Sequence, residues 1–227
     1  MTEINVKRCN PANYGGNRGM GVVDWIVIHY TSNRGDTAKN NADYFAREKV
    51  SASAHYFVDE TEVWESVPLS HNAWHCGGGR QGDTGGALLG KVKNSNSIGV
   101  EICMLDKSGG VRAGSIRKAA ELVRWLMGKY DISIDHVVRH WDVTGKECPA
   151  PMIGESALWR EFLDMLKEDE SMKTYQYVRD MPEWAQASVT KAIQKGIVAM
   201  DQSGAVSVLE CNLQPLVWMD RAGMLDK

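Results

Sequence analysis

The stretch VDWIVIHYT, Val23 to Thr31, limits the fold more tightly than any other part of the chain. Its branched and aromatic residues are apolar on both alternating faces. Such a strand is covered on both sides, which places it inside a sheet rather than at an edge. The run ends in a histidine, His29. Ligand sites in α/β sheets collect at the carboxyl ends of strands, so His29 stands where a functional side chain is expected.

Other segments supply the partners of this strand. NSIGVEICM reads as a second strand, with Ile98, Val100 and Ile102 on one face and Gly99, Glu101 and Cys103 on the other. ASAHYFVDETEVWESVP reads as two strands joined by a tight turn around Glu60. SIRKAAELVRWLMGKY repeats apolar residues at helical spacing from Ile116 to Tyr130. DTAKNNADYFARE reads as a helix capped by Asp36. IDHVVRHWDVT reads as a short strand opening into a loop, and a helix follows over roughly Ser156 to Glu168. The fold class is α/β.

The segment HCGGGRQGDTGGALLGKVKNSN is rich in glycine and suits an irregular surface loop. The run KEDE, Lys167 to Glu170, ends the helix over roughly Ser156 to Glu168 and reads as a linker or a frayed end. Beyond it, Pro182 and Gly196 suit the start and end of a new helix, and LQPLVWMDRAGML reads as another. The division expected is residues 1–168 as one domain and 169–227 as linker plus a small, mainly helical module.

The formal net charge is −3, which gives no field favouring nucleic acid or anionic lipid. The five cysteines are odd in number and scattered, which argues against a disulfide framework and allows reduced thiols or a metal thiolate. The N-terminal segment has no continuous apolar run, so the expectation is a protein made in the cytoplasm without a signal peptide and without membrane insertion.

RHWDVTGKECPAP, Arg139 to Pro151, holds His140, Lys146 and Cys148 in one short stretch. A hydrolytic zinc commonly takes three protein ligands and keeps a fourth position for water. His140 and Cys148 offer two, and His29 is the best third candidate. Glu101 interrupts an apolar strand; it is either a solvent-facing position or a carboxylate aimed into the site as a proton acceptor. Lys146 is either an ordinary loop lysine or a cation beside a developing oxyanion. His71 and His75, flanking Trp74, either line a groove or are exposed. His55 reads as structural.

WIVIHYT, SAHYFVDETEVWESVPLSHNAWHCGGG, NSNSIGVEIC and RHWDVTGKECP occur in that order, and together they resemble the zinc-dependent N-acetylmuramoyl-L-alanine amidases of the type 2 family. That family includes phage and prophage endolysins and shares its fold with the animal peptidoglycan-recognition proteins. The resemblance implies a mixed central sheet flanked by helices, with Zn2+ in a cleft. It implies hydrolysis of the amide between N-acetylmuramic acid and L-alanine of the stem peptide. By position, His29, His140 and Cys148 match the zinc ligands, Glu101 the catalytic glutamate and Lys146 the residue that stabilises the tetrahedral intermediate. Trp74, His75 and Asn96 are expected to bind substrate. Some relatives use a tyrosine where this chain has Ala54; Tyr56 is read as sharing that face and Tyr30 follows a ligand, but neither matches, so Glu101 is left to carry proton transfer alone. The tail resembles a short module found after such amidases in phages and prophages of Gram-positive bacteria, which implies attachment to the cell wall; a structural or dimerising tail is the alternative. Bacterial peptidoglycan is therefore the expected partner, reached through a holin pore.

Three other readings stay open on sequence alone. One is a peptidoglycan-binding protein without activity. Another is a cytoplasmic amidase recycling muropeptides. The last is a cysteine hydrolase using Cys76 or Cys103.

Overall fold

The computed structural model describes residues 3–167, 174–209 and 212–225. The chain forms two compact units, Met1–Lys167 and Glu168–Lys227. The linker read at Lys167 to Glu170 lies, beyond Lys167, outside the described residues, as does Cys211.

The strands of the first unit are β1 (Ile4–Val6), β2 (Tyr14–Asn17), β3 (Trp25–Tyr30), β4 (Tyr56–Val58), β5 (Val63–Glu65), β6 (His71–Ala73), β7 (Ser97–Ile102) and β8 (Val137–Arg139). Six of them form one sheet in the order β1-β5-β4-β7-β3-β8, and β2 pairs with β6 apart from it. β4, β7, β3 and β8 run parallel, whereas β4 and β5 form the antiparallel hairpin expected around Glu60. The sheet is thus mixed, with β3 inside it as its two-sided apolar pattern requires.

The helices are α1 (Ala38–Arg47), α2 (Ala113–Tyr130), α3 (His140–Thr144) and α4 (Ala157–Lys167). Ile26, Ile28, Ile98, Val100 and Ile102 face α2 and α4 and pack on Ile116, Leu122, Leu126 and Phe162. Each such fully buried side chain contributes roughly 1.5–3 kcal/mol relative to exposure. The opposite face carries smaller clusters, Trp25, Val27, Val138 and Val143 in one and Ala38, Ala42, Phe57 and Cys103 in another. The large core on one face frees the carboxyl ends of the parallel strands on the other for polar groups.

Three local expectations are corrected. Thr37, not Asp36, caps α1: its hydroxyl accepts from the Asn40 amide, while an Asp36 oxygen accepts from Asn41 and another from Arg112. The stretch after β8 is not a loop at once but the helical turn α3, capped by Arg139 and Asp142. Tyr56 does not share a face with Ala54. Tyr56 sits in the core with α2, and Ala54 packs with Phe57 on the other side, because the chain is irregular before β4 begins.

In the second unit, β9 (Thr174–Tyr175) pairs antiparallel with β10 (Val208–Leu209), beside α5 (Glu183–Gln194) and α6 (Leu213–Arg221). Tyr175, Met181, Val189, Leu213 and Val217 form its core. Asp220 of α6 accepts from Ser188 and Lys191 of α5, both at 2.7 Å. The helices expected around Pro182 and Gly196 and over LQPLVWMDRAGML are present. No helix among the described residues is long and apolar enough to cross a membrane.

Candidate metal centre and cleft

Parallel register places the site. His29 of β3 pairs with Glu101 of β7, so both side chains leave one face of the sheet near the strands' carboxyl ends. On the other side of β3, Ile28 pairs with Arg139, the last residue of β8. His140 follows directly as the first residue of α3. The imidazoles of His29 and His140 meet with centroids 4.6 Å apart.

Cys148 is brought back to them by a closed loop. The Trp141 amide donates to the Cys148 carbonyl at 2.9 Å. Arg139 braces the loop from below, donating to both carboxylate oxygens of Asp142 and to the carbonyls of Met152 and Gly154. Gly145 turns the chain with φ +84°, and a Cβ there would stand 2.7 Å from the Thr84 carbonyl oxygen of the glycine-rich loop. That loop therefore packs on α3 and holds the ligand segment down, with the Gln81 amide donating to the Thr144 carbonyl.

One atom from each of His29, His140 and Cys148 lies within 4.8 Å of the others, and the three residues are 1, 3 and 4% exposed. Both ring nitrogens of His140 are buried without a hydrogen-bond partner among the described residues, as is Oε2 of Glu101. A buried imidazole with neither nitrogen satisfied is costly unless something else takes its lone pair. A metal ion between the two imidazoles and the thiol does so, and the arrangement fits one. Burial, then neighbouring His140, His75 and Lys146, holds His29 well below the usual histidine range. Burial, then Lys146, brings His140 to about 4. Both rings are thus neutral donors at pH 7, the form that binds metal. Burial pushes the Cys148 thiol up to about 12 with Glu101 adding to the shift, so the thiolate needs a cation to form.

Glu101, Lys146 and Cys148 line a cavity of about 560 Å³ together with Tyr30, Asn41 and Phe57. Burial raises Glu101 to about 7, against the opposing pull of Lys146. Lys146 itself is exposed at the rim.

The three residues expected to bind substrate are not gathered there. Trp74 is 36% exposed and borders a separate depression with Asn72, Gly77 and Lys93. Asn96 is a turn residue: its side chain accepts from the Lys93 amide and donates to the Lys91 carbonyl, at the end of β7 opposite Glu101. His75 turns inward, with Nδ1 3.0 Å from Nε2 of His29. Its neighbours Asn94 and Ser97 carry no local sequence signal for this contact. The Asn94 side chain accepts from the His75 and Cys76 amides, and the Ser97 hydroxyl lies 3.2 Å from Nε2 of His75. Gly99, a glycine within an apolar strand, was the available signal, since such a residue marks the close approach of another group.

The cysteine-hydrolase reading fails on burial. Cys76 is 4% exposed with its thiol pushed up to about 11 by desolvation, and Cys103 is fully buried with its thiol pushed higher still. A nucleophile needs an accessible thiolate.

Comparison with known proteins points the same way as the geometry. The chain is 37% identical over 159 residues to the N-acetylmuramoyl-L-alanine amidase BlyA of Bacillus subtilis, covering 67% of this chain and 43% of BlyA. It is 34% identical over 197 residues to the amidase CwlL of Bacillus licheniformis, covering 78% of this chain and 53% of CwlL. The chain thus spans about half the length of these relatives. Among solved structures, PlyL matches with a TM-score of 0.60 at 32% identity, over 74% of this chain and 98% of that one. The catalytic domain of XlyA matches with a TM-score of 0.59 at 28% identity, over 73% and 99%. Residues 19–151, which contain His29, Glu101, His140 and Cys148, match the Amidase_2 family, and the chain belongs to this family of N-acetylmuramoyl-L-alanine amidases.

Proposed function

We propose that this chain is a zinc-dependent peptidoglycan hydrolase of the endolysin type. Its bond is the amide between the lactyl group of N-acetylmuramic acid and L-alanine of the stem peptide. The observation that carries this reading is the closure of His29, His140 and Cys148 to within 4.8 Å, beside a cavity lined by Glu101. Two imidazoles and a thiolate suit zinc with one position left open, whereas a hard cation would call for oxygen ligands. Zinc held there supplies Lewis acidity, lowering the pKa of water from about 15.7 to about 7 and polarising a carbonyl.

The protein's own groups do the rest. Glu101 takes a proton from the attacking water and returns it to the leaving amine of L-alanine. Its place in the cavity and its rise to about 7 suit both halves of that task at neutral pH. Lys146 offers an ammonium to the carbonyl oxygen as negative charge develops. Cys148 acts as a ligand rather than a nucleophile. Tyr56, buried in the core, is out of reach of the cleft.

We assign residues 169–227 to attachment on a Gram-positive cell wall, and passage through a holin pore to the route by which the protein reaches it. Purified peptidoglycan is the test substrate. Release of free L-alanine amino groups, abolished by a chelator and restored by zinc, supports the reading; sugar reducing ends without amino groups would overturn it. Lysis of intact cells from outside, set against turnover of soluble muropeptides, separates a lytic enzyme from a recycling one.

A further inference from the structure

Ser97, Gly99 and Glu101 alternate along one face of β7, opposite Trp25, Val27 and His29 of β3. The first two have no part in the hydrolytic reading. Their common partner is His75. Its ring lies on Gly99 so closely that a Cβ there would stand 2.6 Å from Cγ of the imidazole. Seated this way, His75 has Nδ1 3.0 Å from Nε2 of His29 and Nε2 3.2 Å from Oγ of Ser97. Ser97 Oγ lies in turn 2.6 Å from the carbonyl oxygen of Lys93.

The direction of this chain of bonds follows from its far end. A carbonyl can only accept, so the single hydroxyl proton of Ser97 goes to Lys93. Ser97 Oγ is then an acceptor toward His75, which places the His75 proton on Nε2. With Nε2 carrying the proton, His75 in the ordinary neutral form of an imidazole above pH about 6.5 has a bare Nδ1, which accepts from Nε2–H of His29. His29 is left with an unprotonated Nδ1, and that atom is the one 3.7 Å from Sγ of Cys148. A backbone carbonyl outside the cleft thus sets which nitrogen of a cleft histidine carries its lone pair.

We propose that His75 is a positioning residue which holds His29 in its Nε2–H tautomer with Nδ1 free for the metal, and that Ser97 polarises His75 while Gly99 seats it. The inference rests on the zinc reading of His29 for its consequence, though the tautomer itself needs no metal. Ligand histidines usually donate their second N–H to a carboxylate, a carbonyl or water. Here the acceptor is a second, neutral imidazole, which orients the ring without adding a negative charge behind it.

The test uses the full chain as wild type, His75→Phe, Ser97→Ala and His75→Asn. Nitrogen chemical shifts and proton couplings of His29 are recorded in metal-free protein. Zinc affinity is measured by competition with a chromophoric chelator. Wild type is expected to show one His29 tautomer, protonated at Nε2. His75→Phe removes the acceptor, so both tautomers populate and zinc affinity falls roughly 10–100-fold. Ser97→Ala leaves the ring in place and shifts both readouts the same way by less, which keeps the test intact if the Phe variant does not fold. His75→Asn puts an amide oxygen where Nδ1 stood and restores the wild-type tautomer and most of the affinity. A single Nε2–H tautomer with unchanged zinc affinity in both His75→Phe and Ser97→Ala would overturn the inference. Wild type that takes up no zinc while its His29 tautomer responds as described would instead overturn the zinc reading and leave this one standing.

Discussion

His29 and Glu101 occupy paired positions on adjacent parallel strands, so an imidazole and a carboxylate stand side by side on one face of the sheet. Because the pairing is set by backbone register, exchanging either side chain leaves the other's position unchanged. Metal retention and proton transfer can therefore be separated by mutation.

Glu101→Gln is expected to keep wild-type zinc content and to lose roughly 10²–10⁴-fold in kcat, the usual worth of a positioned acid–base group. Zinc analysis and amino-group release on the same preparation check both halves. Full activity in the variant would remove the role given to Glu101.

Gly145→Ala acts on the ligand segment from its covered side. The left-handed backbone and the close Thr84 carbonyl leave no room for a side chain. The expected cost is about 1–3 kcal/mol in unfolding free energy, with weakened zinc binding because the turn lies between His140 and Cys148. Denaturant melts with and without zinc measure both effects.

Acid stability in the metal-free protein should reflect His55 alongside the cleft histidines His29 and His140. His55 is fully buried, its Nδ1 accepts from the Gly99 amide, and burial followed by the nearby Arg18 lowers it to about 3. Its folded value lies below its unfolded value, so the unfolded chain binds more protons between pH about 6.5 and 3. Its contribution is complete above that window and is lost as pH falls through it, at up to roughly 1.4 kcal/mol per pH unit. His55→Asn keeps an acceptor for Gly99 and is expected to flatten the slope by that amount in pH-dependent unfolding.

Residues 1–167 hold a core of their own. Expressed without the second unit, they are expected to fold and to hydrolyse purified peptidoglycan with a kcat close to that of the full chain, while sedimenting less with intact walls. A fragment that binds walls as well as the full chain would move attachment into the first unit.

Much of this arrangement is legible in the sequence, for local reasons. β3, β7 and α2 announce themselves because their apolar periodicity is long and uninterrupted, and His29 and Glu101 stand out as polar residues near the strand ends. His140 and Cys148 are close in sequence, and a short loop has few ways to keep them apart. The inward turn of His75 was not legible. It depends on Lys93, Ser97 and Gly99 meeting a residue from another segment, and no local pattern in SHNAWHCGGG tells an inward ring from one facing solvent. Tyr56 escapes the period-2 pattern for a related reason: the stretch before it is not yet strand.

The central claim is the donor set itself, and zinc K-edge X-ray absorption on the loaded protein tests it most directly. The expected first shell holds one sulfur at about 2.3 Å and two imidazole nitrogens at about 2.0–2.1 Å, with a light atom completing four. The sulfur should vanish in Cys148→Ala. A shell of nitrogen and oxygen alone in wild type, or a sulfur that persists in Cys148→Ala, would contradict the account.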